Sequence, residues 1–253
     1  MDEFNTHHEK AYKFLKFKDL EKIITSKKIR FSQPKTFNDP LDCSVLLGNL
    51  DWNRYSQMGL KSFKEATVNT YKHFDSFYLT CFSKEYNSEL MWAHYGLNNT
   101  QVCFEIDFSA TPYCGNPSSV TYKDYKDFCL FRDSLHEIGA HEKGIFLATT
   151  KLKNWEYEKE VRLIFDTEFK KEYENNGFIL SEDNNHIFVN FDINSISKII
   201  FGVNSDEVDE MVMIALTNFN KMNVKFEKMI IDPRDLTLKS MSYFEYILDK
   251  PFK

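Results

Sequence analysis

The amino-acid sequence predicts a single α+β domain, and three observations carry that prediction. Strand-like and helix-like hydrophobic patterns are interspersed, without the regular strand–helix–strand alternation of a doubly wound parallel sheet. Aromatic residues are abundant, with 24 Phe and 13 Tyr among 253 residues, whereas Gly and Pro number only 8 and 6. Such a chain packs a core rather than staying disordered. No repeat, low-complexity tract or linker divides it, so one domain spanning residues 1–253 is expected.

The elements are read in chain order. AYKFLKF (11–17) gives a short opening strand, and 18–28 a helix with Leu20, Ile23 and Ile24 on one face. IRFSQP starts a second strand that Pro34 ends, and FNDPLDC (37–43) is turn chemistry. Residues 56–74 place Leu60, Phe63, Thr67 and Tyr71 at helical spacing, and FYLTCFS (77–83) is a strand. SELMWAHYG (88–96) is a short helix capped by Ser88 and stopped near Gly96. QVCFEIDF (101–108) is a strand, 109–119 a loop, SVTY a short strand, and 124–143 a helix with Phe128, Phe131, Leu135 and Ile138 on one face. EVRLIF, HIFVNF and SISKIIFG are strands. Residues 205–221 form a helix, with Asn204 and Glu207 at capping-box spacing and Val208, Met211, Val212, Ala215 and Leu216 as its inner face. VKFEKMII closes the core as a strand.

Composition narrows the function classes. The net charge of −6 argues against a broad basic surface for non-specific nucleic-acid binding. Cys43, Cys81, Cys103, Cys114 and Cys129 are odd in number and contain no C-x-x-C, which reads as reduced thiols in a cytoplasmic protein. No apolar run approaches the ~20 residues of a membrane span. The polar start MDEFNTHHEK has no signal-peptide core, and its His7 and His8 receive no role.

Three constellations carry chemistry. In W155-E-Y-E-K-E-V-R-L-I-F165, read as a strand, Glu158, Glu160, Arg162 and Ile164 share one face, while Tyr157, Val161, Leu163 and Phe165 face the core. Two carboxylates then stand ~7 Å apart beside an arginine. That arrangement serves a cationic sugar centre; it is equally a solvated outer face with Glu160 paired to Arg162 or a cross-strand lysine. The second constellation is Ser83 at a strand end followed by Met91-Trp92-Ala93-His94-Tyr95. These residues line a pocket or, for Met91, Trp92 and Tyr95, fill the core. His94 has no second His or Cys at ligand spacing, so no metal site is expected, and no G-x-S-x-G elbow supports a hydrolase triad. The third joins Lys13, Arg30 and the Asn38-Asp39-Pro40 turn: Lys13 donates to a phosphate or ribose hydroxyl or is simply solvated, and the turn is architectural or shapes a cleft.

Taken in order, YKF (12–14), RFSQPKTFNDPLD (30–42), TCFS (80–83), LMWAHYG (90–96), VCFEIDF (102–108), VTY (120–122), WEYEKEVRLIF (155–165) and IIFG (199–202) resemble a bacterial family of uncharacterised domains, over most of the chain. That family in turn resembles the ADP-ribosyltransferase superfamily. The resemblance implies a split mixed or antiparallel sheet with flanking helices and an NAD site between its halves. Glu160 takes the place of the late glutamate of an E-x-E motif, Glu158 the place of its acceptor-facing partner, and Ser83 that of the middle-strand serine that orients Glu160. Lys13 stands where Arg or His is usual, with Arg30 as the alternative contact to ribose or diphosphate. Trp92 or Tyr95 would stack on nicotinamide, and His94 and Asn38 would join the NAD-binding residues. The implied activity is NAD-dependent ADP-ribosyl transfer to a macromolecular acceptor (protein, RNA or DNA). The implied setting is an intracellular toxin or phage-defence effector held by an antitoxin or regulatory partner. For a nucleic-acid acceptor, Lys151-Leu152-Lys153 is the nearest basic run. Two other readings stay open: a non-catalytic nucleotide-binding sensor, and a metal-dependent nuclease or hydrolase using Asp39, Asp42, Glu158 and Glu160.

Overall fold

Alternation sets the frame of the fold. In KIRFS, Ile29 and Phe31 are buried while Arg30 points outward, which is the period-2 signature of a strand with one face on the core. The computed structural model describes residues 10–39, 41–43, 76–108, 117–124, 126–127, 140–175, 178, 180–183 and 185–249. The helix expected over 56–74, most of that over 124–143, residues 109–116 of the expected loop, His7, His8, Cys114 and Cys129 lie outside the described residues.

Thirteen strands, six α-helices and four short 3-10 helices make up the described elements. The strands are β1 (Lys10–Leu15), β2 (Lys28–Ser32), β3 (Phe77–Ser83), β4 (Val102–Asp107), β5 (Ser118–Ser119), β6 (Thr121–Lys123), β7 (Thr150–Leu152), β8 (Glu160–Asp166), β9 (Leu180–Asp183), β10 (His186–Asn190), β11 (Ile196–Phe201), β12 (Lys225–Ile231) and β13 (Leu238–Ser242). The helices are α1 (Phe17–Ser26), α2 (Glu89–His94), α3 (Ala140–Ala148), α4 (Lys170–Asn175), α5 (Glu207–Phe219) and α6 (Tyr243–Asp249). Eleven strands form one sheet in the order β13-β12-β11-β4-β1-β3-β2-β10-β9, with β8 on β3 and β5 on β8. Its ladders are antiparallel except β11–β12, and β6–β7 form a separate parallel pair. The chain is therefore a mixed α+β fold on a largely antiparallel sheet, as its interspersed patterns predict.

One irregularity positions the site. On one edge, β3 pairs with β8 along its whole length. On the other edge it touches β1 only at Tyr12↔Ser83 and β2 only at Ser32↔Leu79. β1 and β2, joined through α1, thus splay from β3 like a fork, and the edge between Leu79 and Ser83 is left open to a cleft. Lys13 reaches into that gap, its Nζ donating to Thr80 Oγ1 at 2.9 Å and to the Cys81 carbonyl at 2.8 Å.

Both faces of the central sheet are covered. α1 lays Phe17, Leu20, Ile23 and Ile24 on one side, packed with Phe104, Ile199 and Phe201. On the other side Trp92, Cys103, Ile200, Met229 and Leu238 form a second cluster. β4 is accordingly buried at five of its six positions, since a strand covered on both faces loses its alternation.

Several elements depart from the sequence reading. Ser118, read as loop, and Ser119, the first residue of the expected strand SVTY, pair with Arg162 and Val161 of β8. β7, β9, β13, α4 and α6 have no counterpart in the sequence reading. The face expected for α5 holds only at Leu216, which packs against the core: Val208, Met211 and Val212 are exposed, while Glu210, Met213 and Thr217 are buried. The cap is Asp206, whose side chain accepts from the Val208 N–H, rather than Asn204. The reason is a buried ion pair. Glu210 meets Lys228 Nζ, the Ser205 hydroxyl at 2.5 Å and the Tyr243 hydroxyl at 2.8 Å, and a carboxylate so partnered tolerates burial that an unpaired one would not. Met213→Ala is expected to cost about 2–5 kcal/mol, and Met211→Ala no more than about 0.5 kcal/mol. Chemical denaturation of both variants checks the assignment; equal losses would overturn it.

Among the described residues no helix is long and apolar enough to cross a membrane. Cys43, Cys81 and Cys103 are free.

Candidate functional site

The site forms where β8 begins. The segment before it is not strand: Lys153–Glu158 is a 3-10 helix, and Lys159 sits in the left-handed region at φ 42°. This left-handed residue, sparsely populated for anything but glycine, Asn or Asp, turns the chain so that a helical Glu158 and a strand Glu160 line the same cavity. Within β8 the expected parity holds: Val161, Leu163 and Phe165 enter the core, and Glu160 and Arg162 share the opposite face. That face is not solvated. Glu158, Glu160 and Arg162 are 3%, 5% and 0% exposed.

Arg162 organises the cluster. Its Nε and Nη2 hold Glu160 Oε1 and Oε2 at 3.0 and 2.8 Å, a bidentate pair. Nη2 also meets Asp42 Oδ2 at 2.7 Å, and Nη1 meets the Ala148 carbonyl at 3.0 Å and Cys43 Sγ at 3.1 Å. Lys151 on β7 supplies the second cation, with Nζ 3.3 Å from Asp42, 3.5 Å from Glu160 and hydrogen-bonded to Glu158 Oε2. Tyr95 donates to the other oxygen of Glu158 at 2.5 Å. The Glu160 N–H donates to the Tyr122 hydroxyl at 2.7 Å.

Three buried carboxylates thus face two buried cations, leaving one excess negative charge. Its distribution is uneven. Burial alone would raise Glu160 and Asp42, but the charges of Arg162 and then Lys151 outweigh it and hold both below the usual carboxylate range. Glu158 moves the other way: burial, then the neighbouring charge of Glu160, raises it despite Lys151 and Tyr95. Glu158 is therefore the carboxyl of the three that holds a proton most readily, and Glu160 is a fixed charge. In the cleft beyond, desolvation, reinforced by the charge of Arg30, lowers the Lys13 ammonium to about 8.

Space and charge line up. A cavity of about 140 Å³ is lined by Ser83, Tyr95, Glu158 and Glu160, together with Phe14, Phe37 and Asn38. It shares Phe14, Phe37, Asn38, Cys81 and Tyr95 with an outer cleft of about 860 Å³, whose walls carry Lys13, Arg30 and His94. Seven of the eight residues expected to accompany Glu160 therefore meet along one continuous opening.

No protein-family model matches the chain, and neither a curated protein nor a solved structure is significantly similar to it.

Individual roles shift. Trp92 is fully buried, donates from Nε1 to the Tyr86 carbonyl at 2.6 Å and packs edge-on against Phe14, so it cannot stack on a ligand. Ser83 does not orient the Glu160 carboxylate: its hydroxyl donates to the Glu158 carbonyl at 2.7 Å and accepts from the Glu85 N–H at 3.2 Å. It fixes the 3-10 turn that delivers Glu158. Asn38 bonds the Tyr95 hydroxyl. His94 is exposed at the mouth, with Nδ1 2.9 Å from the Tyr157 hydroxyl. Arg30 is exposed on the outer wall. Lys151 is buried in the ion-pair cluster, which removes Lys151-Leu152-Lys153 as a nucleic-acid patch.

Sequence reasoning gave Lys151 a different role, as part of a basic run, missed the role of Tyr122 and undervalued Asp42. The Thr149-Thr150 pair beside Lys151 is the one strand signal there, and Asp42 lies inside the turn already marked by Asn38-Asp39-Pro40. Among the described residues no group of three or more His, Cys, Asp or Glu is placed to hold a metal ion. Asp42, Glu158 and Glu160 spend their oxygens on Arg162, Lys151 and Tyr95 instead.

Proposed function

We propose that the chain is an NAD-dependent ADP-ribosyltransferase acting on a macromolecule. The observation that carries this is the cluster of three buried carboxylates and two buried cations, with its one excess negative charge, at the inner end of a cleft whose outer walls are cationic. NAD has the complementary order: a cationic nicotinamide riboside at one end and a diphosphate beyond it. The fork between β1, β2 and β3 supports the split-sheet form of fold that such enzymes use.

In this reading Lys13 and Arg30 take the diphosphate and Tyr95 flanks the nicotinamide. The bond between the ribose C1′ and the nicotinamide nitrogen breaks, and its electron pair leaves with nicotinamide. Glu160, held ionised by Arg162, stabilises the oxocarbenium-like centre that develops. The acceptor nucleophile then bonds to C1′ and passes its proton to Glu158. Ser83, Asp42, Lys151 and Arg162 are positioning residues.

The test is nicotinamide release from labelled NAD with cell lysate, RNA or DNA present. Glu160→Gln keeps the shape but removes the fixed charge, and release should fall by about a hundredfold or more, the scale of losing one electrostatic stabiliser. Unchanged release in Glu160→Gln, or none from the wild type, would sink the proposal. A second reading has one observation in its favour. Both oxygens of Glu160 are already engaged by Arg162, a self-sufficient arrangement that suits a nucleotide-binding sensor. Saturable NAD binding without release would select it.

A further inference from the structure

We infer that the outer cleft is a docking groove for single-stranded nucleic acid, the acceptor class of the transfer proposed above. The inference rests on that reading for its chemistry, but not for its binding.

The charge of the cleft runs against that of the chain. The whole sequence carries −6, yet among the described residues Lys13, Lys16, Lys22, Lys28 and Arg30 line this one cleft against two carboxylates, Asp19 and Asp183. Two periodicities put them there. β2 sends Ile29 and Phe31 into the core and turns Lys28 and Arg30 outward. α1 buries Phe17, Leu20, Ile23 and Ile24, which leaves Lys22, and Lys16 at its cap, on the solvent side. Among the described residues Lys13, Lys16, Lys28 and Arg30 have no carboxylate oxygen within 4 Å. Lys22 faces Asp19 at 3.8 Å with both side chains exposed, a contact too weak to withhold it.

A dinucleotide does not account for these cations. The diphosphate of NAD carries two negative charges, which Lys13 and Arg30 match, and Lys16, Lys22 and Lys28 remain. A ligand with a phosphate at every repeat uses them. The cleft also offers flat faces. Phe188 is partly exposed and directly opposite Arg30 in the β2–β10 ladder, and Phe37 and Tyr95 lie where the cleft meets the inner cavity. Cations that track a backbone beside aromatic faces that stack bases are the general design of single-strand binding sites. An acidic peptide would satisfy the cations and leave the aromatic faces unused. A strand lying along Lys16, Lys22 and Lys28 would bring a base or ribose to the inner cavity, within reach of Glu158.

Fluorescence anisotropy with the full chain and labelled RNA or DNA of about ten nucleotides tests this. Binding should be saturable, and log K should fall against log salt with a slope of about −2 for three phosphate contacts, approaching −3.5 for five. Exchanging Lys22 and Lys28 for Glu should weaken binding at least tenfold, while Lys221→Glu, outside the cleft, leaves it unchanged. Preference between the RNA and DNA probes identifies the acceptor. Absent binding, equal weakening by Lys221→Glu, or polyglutamate competing as well as the oligonucleotide would each overturn the groove. Oligonucleotide binding without nicotinamide release would sink the transferase reading and leave the groove standing. Nicotinamide release without oligonucleotide binding would do the reverse.

Discussion

Arg162→Met is expected to destabilise the fold by about 3–5 kcal/mol, the usual cost of stripping one partner from a buried ion cluster. The side chain is fully buried and makes five hydrogen bonds, to Glu160, Asp42, Cys43 and Ala148. Met fills comparable volume, so the loss is electrostatic rather than a cavity. Lys151 would be left facing three carboxylates. The pH dependence gives a signature that simple misfolding does not. In the wild type, Asp42 and Glu160 ionise below the usual range, so their stabilisation is complete at neutral pH. It is lost as pH falls below about 4 toward their lowered values. Without Arg162 the dominant influence on both is burial, which raises them, and the sign inverts: the variant should gain stability as pH drops from 7 toward 5. Urea denaturation across that range measures both effects. A wild-type-like midpoint at pH 7, or a variant no more stable at pH 5 than at pH 7, would show that the cluster does not hold the site together. Arg162→Lys should rescue little, because an ammonium cannot reproduce the fork that grips Glu160 and Asp42 together.

Glu158→Gln should lower ADP-ribosyl transfer by about 10²–10⁴-fold, the range for removing a positioned acid–base group, while NAD binding changes little. Burial and the charge of Glu160 raise the Glu158 carboxyl above its ordinary range. The wild-type rate should therefore climb with pH through that raised value, as the base becomes ionised, and the residual rate of Glu158→Gln should show no such limb. Tyr95→Phe removes the 2.5 Å hydrogen bond that favours the ionised form, so the limb should move to higher pH with a smaller loss of rate. A pH–rate profile for the three proteins decides this. An unchanged limb in Glu158→Gln would transfer the proton-exchanging role to another group. Together with Glu160→Gln, these variants separate a fixed charge from a mobile proton, roles the two neighbouring glutamates take from different surroundings.

Part of this site is legible one residue at a time. Strand parity in Glu160–Phe165 follows from the pleat alone, and it correctly sends Val161, Leu163 and Phe165 inward and Glu160 and Arg162 to the other face. The same logic read Glu158 as two steps back along a strand. In fact it sits at the end of a 3-10 turn, brought round by the left-handed Lys159. Glu158 reaches the predicted cavity by a route that no period-2 argument contains. Trp92 shows the opposite failure. Its neighbours His94 and Tyr95 do line the cleft, but side chains turn by about 100° per residue along a helix, and the second face of the sheet claims Trp92.

What the sequence by itself determined is local: the α+β character, the strand at β2, the inward face of β8, and Glu160 beside Arg162. These follow from spacing, because backbone geometry fixes which side chains share a face. Only the tertiary structure decided whether that face was wet or dry. Asp42 comes from a turn 120 residues before Arg162 and Lys151 from a separate short strand nine residues before Glu160, and their arrival converts a polar strand edge into a buried cluster with one negative charge to spare. Charge balance and desolvation depend on every group within a few ångströms, whatever its place in the sequence. The same dependence turned α5 about its axis to bury Glu210 against Lys228, and it sets Glu158 apart from Glu160.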